Sequence, residues 1–337
     1  MSEAPHAVIF GCEGVSLTDW ETGFFHEMNP LGFILFARNI DSPAQVGELT
    51  ARMREIVGRP DAPILIDQEG GRVQRLSPPH WRAAPAAGRF GSLALKDKEA
   101  ALRAARLNAR LIARELSELG INVDCLPCLD LRRPEGHAVI GDRSFGVDPH
   151  LVSELGRSVA FGLRDGGVIP VIKHLPGHGR AAVDSHLDLP RVDASRDDLE
   201  RTDFEAFRGL RDAPWGMTAH VVYESIDPRS PATVSPEVIG KIIRDSIGFG
   251  GLLLSDDLSM SALSGGLEER ARESLMAGCD VALHCNGNAE EMAAVAGACG
   301  PLSEIALERL NRGYAWTSRD SGIDARAALQ ELGSLLA

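Results

Sequence analysis

Eight short apolar segments, separated by longer amphipathic stretches, constrain the fold of this chain more than any other feature. Continuous apolar strands are typical of parallel sheets with both faces covered, and parallel strands need long crossover connections that are usually helices. The pattern therefore predicts an α/β protein built as a single closed (β/α)8 barrel of the TIM type. An open doubly wound sheet is the alternative. The predicted strands cover residues 7–12, 32–37, 63–67, 122–131, 168–174, 215–220, 251–256 and 281–285.

Three of the stretches between these strands carry clear helical patterns. Residues 97–120 repeat leucine, isoleucine and alanine at roughly helical spacing. Residues 235–251 open with Ser235 as the expected N-cap and Pro236 at the first helical position. Residues 195–213 also begin with a serine, which is followed by acidic residues. These patterns support the strand–helix alternation that a barrel requires.

Length and composition are those of a soluble globular protein. The chain has 337 residues, and we expect one catalytic barrel domain over residues 1–337 with a short tail from about residue 318. A net charge of −13 opposes binding to nucleic-acid phosphates. No apolar stretch approaches the roughly 20 residues that span a bilayer, and the N-terminus lacks a signal-peptide pattern. We therefore expect a cytoplasmic monomer with no nucleic-acid or membrane partner, in which Cys125 and Cys128 are buried strand residues.

Polar residues that can bind or react follow seven of the eight predicted strands. In a (β/α)8 barrel the functional groups lie at the carboxyl ends of the strands, so these residues should meet at one face. The set comprises Arg38 and Asn39, Asp67, Asp130, Lys173 and His174, His220, Asp256, and finally His284 and Asn286.

Three classes of chemistry compete for these residues. Metal-assisted hydrolysis could use His174 with His178, and Asp184 with His186, as ligands. Phosphate handling could use the glycine-rich segments QEGGR and PGHG, although neither matches a P-loop or dinucleotide pattern. Glycoside hydrolysis needs a carboxylate nucleophile and an acid/base, and Asp256 at the end of strand 7 could be that nucleophile. The alternative role for Asp256 is a helix N-cap.

Five composite motifs resemble family 3 glycoside hydrolases, and among them the bacterial NagZ-type β-N-acetylhexosaminidases. The likeness extends over nearly the whole chain, and its long motifs are highly specific. They are IDQEGGRVQR (66–75), GDRSF (141–145), KHLPGHG with DSH (173–186), MTAH (217–220) and SDDLSM (255–260).

The resemblance implies a role for each matching position. Asp256 would be the nucleophile that forms a covalent glycosyl-enzyme. His186 would be the proton donor and acceptor, with Asp184 as its partner. The expected N-acetylglucosamine-binding residues are Asp67, Arg75, Arg143, Lys173 and His174. The resemblance implies a (β/α)8 barrel and no cofactor or metal.

A histidine in place of a second carboxylate suits acid/base work at neutral pH. An imidazole titrates near pH 6.5, so it can protonate a leaving oxygen and later deprotonate water. Asp184, two residues away, could fix its tautomer. Gly177 and Gly179 would let the loop move and bring the acid to the site.

The resemblance implies a retaining exo-β-N-acetylglucosaminidase acting on N-acetylglucosaminyl-1,6-anhydro-N-acetylmuramic acid, with or without peptide, in peptidoglycan recycling. A family 3 β-glucosidase is the first alternative. A phosphorylase is the second, because a neutral histidine would not repel phosphate as a carboxylate would. A sugar-binding barrel without activity is the non-enzyme alternative.

Overall fold

Eight parallel strands close into a barrel in the computed structural model, which describes residues 4–133, 136, 139–181, 183, 185, 188–317 and 322–337. Each strand pairs with the next one in the chain, and the eighth pairs with the first. The closed order confirms the predicted (β/α)8 fold and excludes the open sheet. The barrel strands are β1 (His6–Phe10), β2 (Pro30–Leu35), β3 (Ile64–Ile66), β4 (Val123–Asp124), β5 (Ile169–Leu175), β6 (Trp215–Thr218), β7 (Leu252–Asp257) and β8 (Val281–His284).

Helices surround the barrel and connect its strands. The α-helices are α1 (Asp19–Met28), α2 (Pro43–Val57), α3 (Ala87–Ala94), α4 (Lys98–Ser117), α5 (Pro149–Asp165), α6 (Arg196–Arg201), α7 (Asp203–Arg208), α8 (Leu267–Ala277), α9 (Ala289–Ala296), α10 (Glu304–Trp316) and α11 (Ala325–Leu336). A π-helix covers Val238–Ser246, and 3-10 turns cover Ala37–Asn39, Gly141–Arg143 and Ala232–Val234. An antiparallel ribbon, Gln68–Gly70 with Val73–Gln74, projects beyond β3.

The apolar residues form two layers because strand side chains alternate between the two faces of the sheet. In β1, Ile9 points into the barrel, where it joins Leu65, Val171 and other interior residues. Its neighbours Val8 and Phe10 belong to the layer between the strands and the helices. Both faces are therefore buried, which is why the strands read as continuous apolar runs.

Three predicted elements differ from the structure. Of the strand predicted over 122–131, only Val123–Asp124 forms a regular ladder. Pro127 has no N–H to donate, and pairing beyond it is limited to irregular bonds with β5, such as the one that its carbonyl oxygen accepts from the Lys173 amide at 3.1 Å. The helix predicted over 195–213 is divided into α6 and α7 at Thr202, whose hydroxyl donates to the Asp198 carbonyl oxygen at 2.6 Å. The helix predicted over 235–251 is the π-helix, and Ser235 Oγ accepts from the Val238 amide as the predicted cap.

The tail expected from about residue 318 contains α11, whose Glu331 pairs with Arg103 of α4. Of the helices in the described part of the chain, none is both long enough and apolar enough to cross a membrane.

Candidate active site

The carboxyl ends of the strands surround a cavity of about 420 Å³. Apolar side chains, among them Phe36 and Met260, share its lining with polar ones. Two predicted site residues, Asp184 and His186, lie outside the residues that the structure describes. The six others all line the cavity, which places them where the barrel rule predicts: Asp67, Arg75, Arg143, Lys173, His174 and Asp256.

Three cations and two carboxylates form a continuous series of ion pairs beside the cavity. Lys173 Nζ lies 2.7 Å from both Asp67 Oδ1 and Glu69 Oε1. Arg143 binds Glu69 through two hydrogen bonds of 2.9 and 2.8 Å. Arg75 Nη2 lies 3.2 Å from Asp67 Oδ2. Such a set of fixed donors and acceptors can bind several sugar hydroxyls in one orientation.

The opposite charges in this network keep Glu69 and Lys173 ionised despite their burial. Burial raises the pKa of the Glu69 carboxyl, but Arg143 and Lys173 outweigh burial and hold that pKa far below its usual range. Burial lowers the pKa of Lys173, yet Asp67 and Glu69 hold it above its ordinary value. The polar groups at this side of the cavity are therefore oriented before substrate arrives, which lowers the cost of binding.

Asp130 organises two histidines of β5 and the loop after it. Its Oδ2 accepts from His174 Nδ1 at 2.6 Å, and its Oδ1 accepts from the His178 backbone N–H at 2.6 Å. Burial raises the pKa of Asp130, but the His174 ring and the bonds from both histidines hold it far below the ordinary value. An ionised Asp130 fixes the proton of His174 on Nδ1, and this leaves Nε2 for other partners.

Replacing Asp130 by asparagine should lower kcat/KM about 10- to 100-fold, because a hydrogen bond to a charged group contributes roughly 1.5–3 kcal/mol. The variant would leave the His174 tautomer unfixed. Steady-state kinetics on an N-acetyl-β-glucosaminide would measure the loss. Asp227→Asn is the matched control: within the part of the chain that the structure describes, Asp227 binds only the Ser235 hydroxyl and two loop amides and is not in the cavity lining. Equal kinetics for the two variants would contradict this role.

Asp256 and its neighbour Asp257 both line the cavity but have different hydrogen-bond partners. Asp257 Oδ1 accepts from the Ser259 and Cys285 amides, and its Oδ2 accepts from the Ser259 hydroxyl. Among the described residues, the Asp256 side chain accepts one bond, from the Asp257 amide at 2.8 Å. Burial raises the pKa of Asp256, but the His220 and His174 rings and this amide bring it below the ordinary value. Asp256 thus combines an ionised carboxylate at the cavity with acceptor capacity that no residue in the described ranges uses.

The remaining polar residues at the strand ends bind neighbouring backbone and side-chain groups outside the cavity. The ring of His220 is fully buried, with Nδ1 2.7 Å from Thr233 Oγ1 and Nε2 2.9 Å from the Asp257 carbonyl oxygen. Arg38 donates to backbone carbonyl oxygens at the ends of β1 and β8. His284 Nε2 lies 3.1 Å from Asn286 Oδ1. None of these side chains is part of the cavity lining among the described residues.

Gly177 and Gly179 pack closely against the barrel, and the loop movement expected from the sequence stays a prediction for the chain beyond them. A Cβ atom at Gly179 would lie 2.0 Å from the Leu131 carbonyl oxygen. Gly177 has a φ of +140°, and its carbonyl oxygen accepts from the Tyr223 hydroxyl at 2.6 Å. The chain directly after β5 is therefore held firmly against the barrel.

One group among the described residues brings metal-ligand atoms together. Ligand atoms of Cys128, Asp130 and His174 lie within 4.8 Å of one another, and all three residues are buried. This group differs from the predicted metal alternative, in which His178 was a ligand. The Asp130–His174 hydrogen bond, to which the Cys128 thiol adds a contact of 3.2 Å, explains the closeness.

Comparison with known proteins gives matches over most of the chain. Residues 26–312 match the glycosyl hydrolase family 3 N-terminal domain. A β-hexosaminidase of Alkalilimnicola ehrlichii is 40% identical over 311 residues, which cover 90% of this chain and 88% of that protein. The crystal structure of NagZ from Neisseria gonorrhoeae, in complex with N-trifluoroacetyl-D-glucosamine, matches with a TM-score of 0.88 and 34% identity over 99% of this chain and 98% of that one. A family 3 β-N-acetylglucosaminidase from Paenibacillus matches with a TM-score of 0.82 and 31% identity over 98% of this chain and 66% of that one.

Proposed function

The chain belongs to glycoside hydrolase family 3 and is a β-N-acetylhexosaminidase, and we propose that it is a retaining exo-enzyme with Asp256 as nucleophile. It would release terminal non-reducing β-linked N-acetylglucosamine. The observation that carries this proposal is the cavity itself. An ionised carboxylate with free acceptor capacity, Asp256, shares a pocket of sugar size with the Arg75–Asp67–Lys173–Glu69–Arg143 network.

In the first step the Asp256 carboxylate attacks the anomeric carbon, and the bond from that carbon to the leaving oxygen breaks. The imidazolium of His186 gives its proton to the leaving oxygen. In the second step neutral His186 takes a proton from water, whose oxygen attacks the same carbon and frees Asp256. Asp184 would stabilise the imidazolium and fix its orientation. Two displacements at one carbon retain the β configuration.

The ion-pair network and His174 would bind the hydroxyls of the sugar during both steps. Groups fixed in advance contribute most when they contact the sugar more strongly in the transition state than in the ground state. The Neisseria gonorrhoeae relative binds an N-acylated glucosamine, and this supports the N-acetyl sugar as the substrate here.

We assign the natural substrate to the class of N-acetylglucosaminyl-1,6-anhydro-N-acetylmuramic acid, with or without a peptide stem, as formed in peptidoglycan recycling. The support is the likeness to NagZ over nearly the entire chain. A cytoplasmic location and a monomeric state remain predictions from the sequence.

Release of nitrophenol from 4-nitrophenyl N-acetyl-β-glucosaminide, beside the corresponding β-glucoside, tests the specificity. We expect the N-acetyl sugar to be the better substrate by at least about 100-fold in kcat/KM, because a site that hydrogen-bonds a substrate group discriminates strongly against analogues without it. Preference for the β-glucoside would replace the proposed specificity with that of a β-glucosidase. Adding phosphate and measuring sugar 1-phosphate against free sugar separates the phosphorylase alternative.

A further inference from the structure

His178 is a buried histidine at the cavity whose side chain has no role in the steps above. It is 4% exposed and belongs to the cavity lining. Its backbone N–H is held by Asp130, and its Nε2 lies 3.1 Å from the Ser185 hydroxyl oxygen. Among the described residues its Nδ1 has no hydrogen-bond partner. The backbone of His178 is therefore fixed by Asp130, and the one polar contact of its ring to a described residue is with Ser185.

Ser185 is held from two sides. Its side chain contacts His178, its carbonyl oxygen accepts from the Ala262 amide at 3.2 Å, and it is 4% exposed. In the sequence it stands directly between Asp184 and His186. Since consecutive Cα atoms are about 3.8 Å apart, whatever fixes Ser185 restricts the places that its two neighbours can reach.

The protonation state of His178 determines which atom is the donor in its contact with Ser185. Burial, followed by the charge of the nearby His174, lowers the pKa of His178 to about 4, so its ring is neutral at neutral pH. A neutral imidazole has one N–H, and a buried N–H without a partner is costly. The favoured tautomer therefore carries the proton on Nε2, donates to Ser185 Oγ, and leaves a lone pair on Nδ1.

The part of the chain that carries His178 is itself firmly fixed. Gly177 is bound by Tyr223, Gly179 packs on Leu131, and Arg180 Nε donates to Asp203 at 2.7 Å. His178 is thus a rigid element of the barrel, whereas the contact to Ser185 is made eight residues beyond the Gly177 anchor along the loop. A rigid donor that binds Ser185 restricts the positions open to the residues next to it in the chain.

We propose that His178 is a positioning residue for the acid/base: its Nε2–H binds Ser185, the residue between Asp184 and His186 in the sequence, and this contact restricts where the acid/base can act. The inference rests on the proposed role of His186. If it is correct, loss of His178 should lower kcat/KM strongly for substrates whose leaving group must be protonated. The loss should be small for substrates whose leaving group departs as a stable anion.

The test compares kcat/KM on 2,4-dinitrophenyl N-acetyl-β-glucosaminide, whose leaving group needs no acid, with that on an alkyl N-acetyl-β-glucosaminide, whose leaving group does. Ser185→Ala and His178→Met should each lose about 10- to 100-fold on the alkyl substrate, as part of the 10²–10⁴-fold typical of acid/base catalysis, and less than about threefold on the dinitrophenyl one. The double variant should lose no more than either single variant.

Two further variants make the outcome decisive. His178→Gln keeps an N–H donor near the position of Nε2 and should restore most of the lost activity, whereas a purely structural role would not discriminate between leaving groups. Ser225→Ala removes an exposed hydroxyl whose one bond to a described residue goes to the Ala194 carbonyl oxygen, and it should leave kcat/KM unchanged on both substrates. Ser185→Ala removes one oxygen atom and so remains informative if His178→Met fails to fold.

His186→Ala separates failure of this inference from failure of the proposed function. If His186→Ala shows the leaving-group-dependent loss while the His178 and Ser185 variants lose equally on both substrates, the positioning role is overturned and the acid/base assignment stands. If His186→Ala itself shows no such dependence, the acid/base assignment fails, and the positioning role fails with it.

Discussion

Asp256→Asn should lower kcat/KM on 4-nitrophenyl N-acetyl-β-glucosaminide by about 10⁴-fold or more, the scale on which loss of a nucleophile acts in a catalytic unit. Asparagine has nearly the shape of aspartate, and its carbonyl oxygen can still accept from the Asp257 amide, as Asp256 Oδ1 does at 2.8 Å. The fold should therefore remain intact, and circular dichroism with thermal unfolding would verify this. The loss would lie in the chemical step because an amide is a poor nucleophile.

Asp257→Asn is the matched control, since it makes the same substitution at the adjacent residue. Asp257 binds backbone amides and the Ser259 hydroxyl, so its change should reduce stability while turnover stays within about tenfold of wild type. Azide should partly restore Asp256→Ala and give the α-glycosyl azide, because the anion would attack from the side that the missing carboxylate occupied. If Asp257→Asn were inactive and Asp256→Asn active, Asp257 would be the nucleophile, and the assignment to Asp256 would be wrong.

Glu69→Gln should destabilise the protein by about 3–5 kcal/mol at pH 7, the usual cost of removing one partner from a buried ion pair. Glu69 and Lys173 are 4% and 2% exposed, and Arg143 is the second cation that Glu69 neutralises. In the variant, Arg143 loses its carboxylate partner in the network, and Lys173 keeps only Asp67. Urea unfolding would measure the stability loss, and a higher KM should accompany it because the hydroxyl-binding groups lose their alignment.

The pH dependence provides a second readout for Glu69. Its pKa is far below the ordinary value in the folded protein, so its stabilising contribution is complete above the unfolded pKa of about 4.3 and is lost as the pH falls through the folded value. The stability difference between wild type and Glu69→Gln should therefore shrink below about pH 4. Asp142→Asn, in a pair with Arg72 whose side chains are 54% and 46% exposed, should cost less than about 1 kcal/mol. Equal losses in the two variants would contradict a buried network.

The sequence predicted the barrel well because its strands are covered on both faces, so that burial appears directly as apolar runs. β4 was the least accurate strand, since the regular ladder covers only Val123–Asp124, while the buried apolar run after it pairs with β5 irregularly, for example through the Leu129 amide and the Lys173 carbonyl oxygen at 2.7 Å. Apolar character reports burial and not hydrogen bonding. The helix predicted over 195–213 failed at Thr202 for a related reason: a side-chain hydroxyl that binds the backbone is invisible in the periodicity.

The sequence also predicted at which end of the barrel the polar residues meet. It did not identify the residues that hold the substrate-binding side chains in place through ion pairs and hydrogen bonds. Glu69 was missed, although it stands inside the motif IDQEGGRVQR, because its two partners lie 74 and 104 positions further along the chain. Asp130 was recognised as a strand end without its role in fixing His174. His178 was considered only as a metal ligand. Pairings of this kind depend on tertiary contacts that spacing along the chain does not encode.

The covalent step is the central claim, and its most direct test is to locate the sugar on the protein. A fluorinated N-acetylglucosaminyl fluoride forms the glycosyl-enzyme quickly and releases it slowly, so the intermediate should accumulate during incubation. Proteolysis and mass spectrometry would then identify the modified residue. We predict loss of activity over time and one sugar on the peptide that contains Asp256. A sugar on any other residue would contradict the proposed mechanism. So would hydrolysis of the glycosyl fluoride without any sugar becoming attached to the protein.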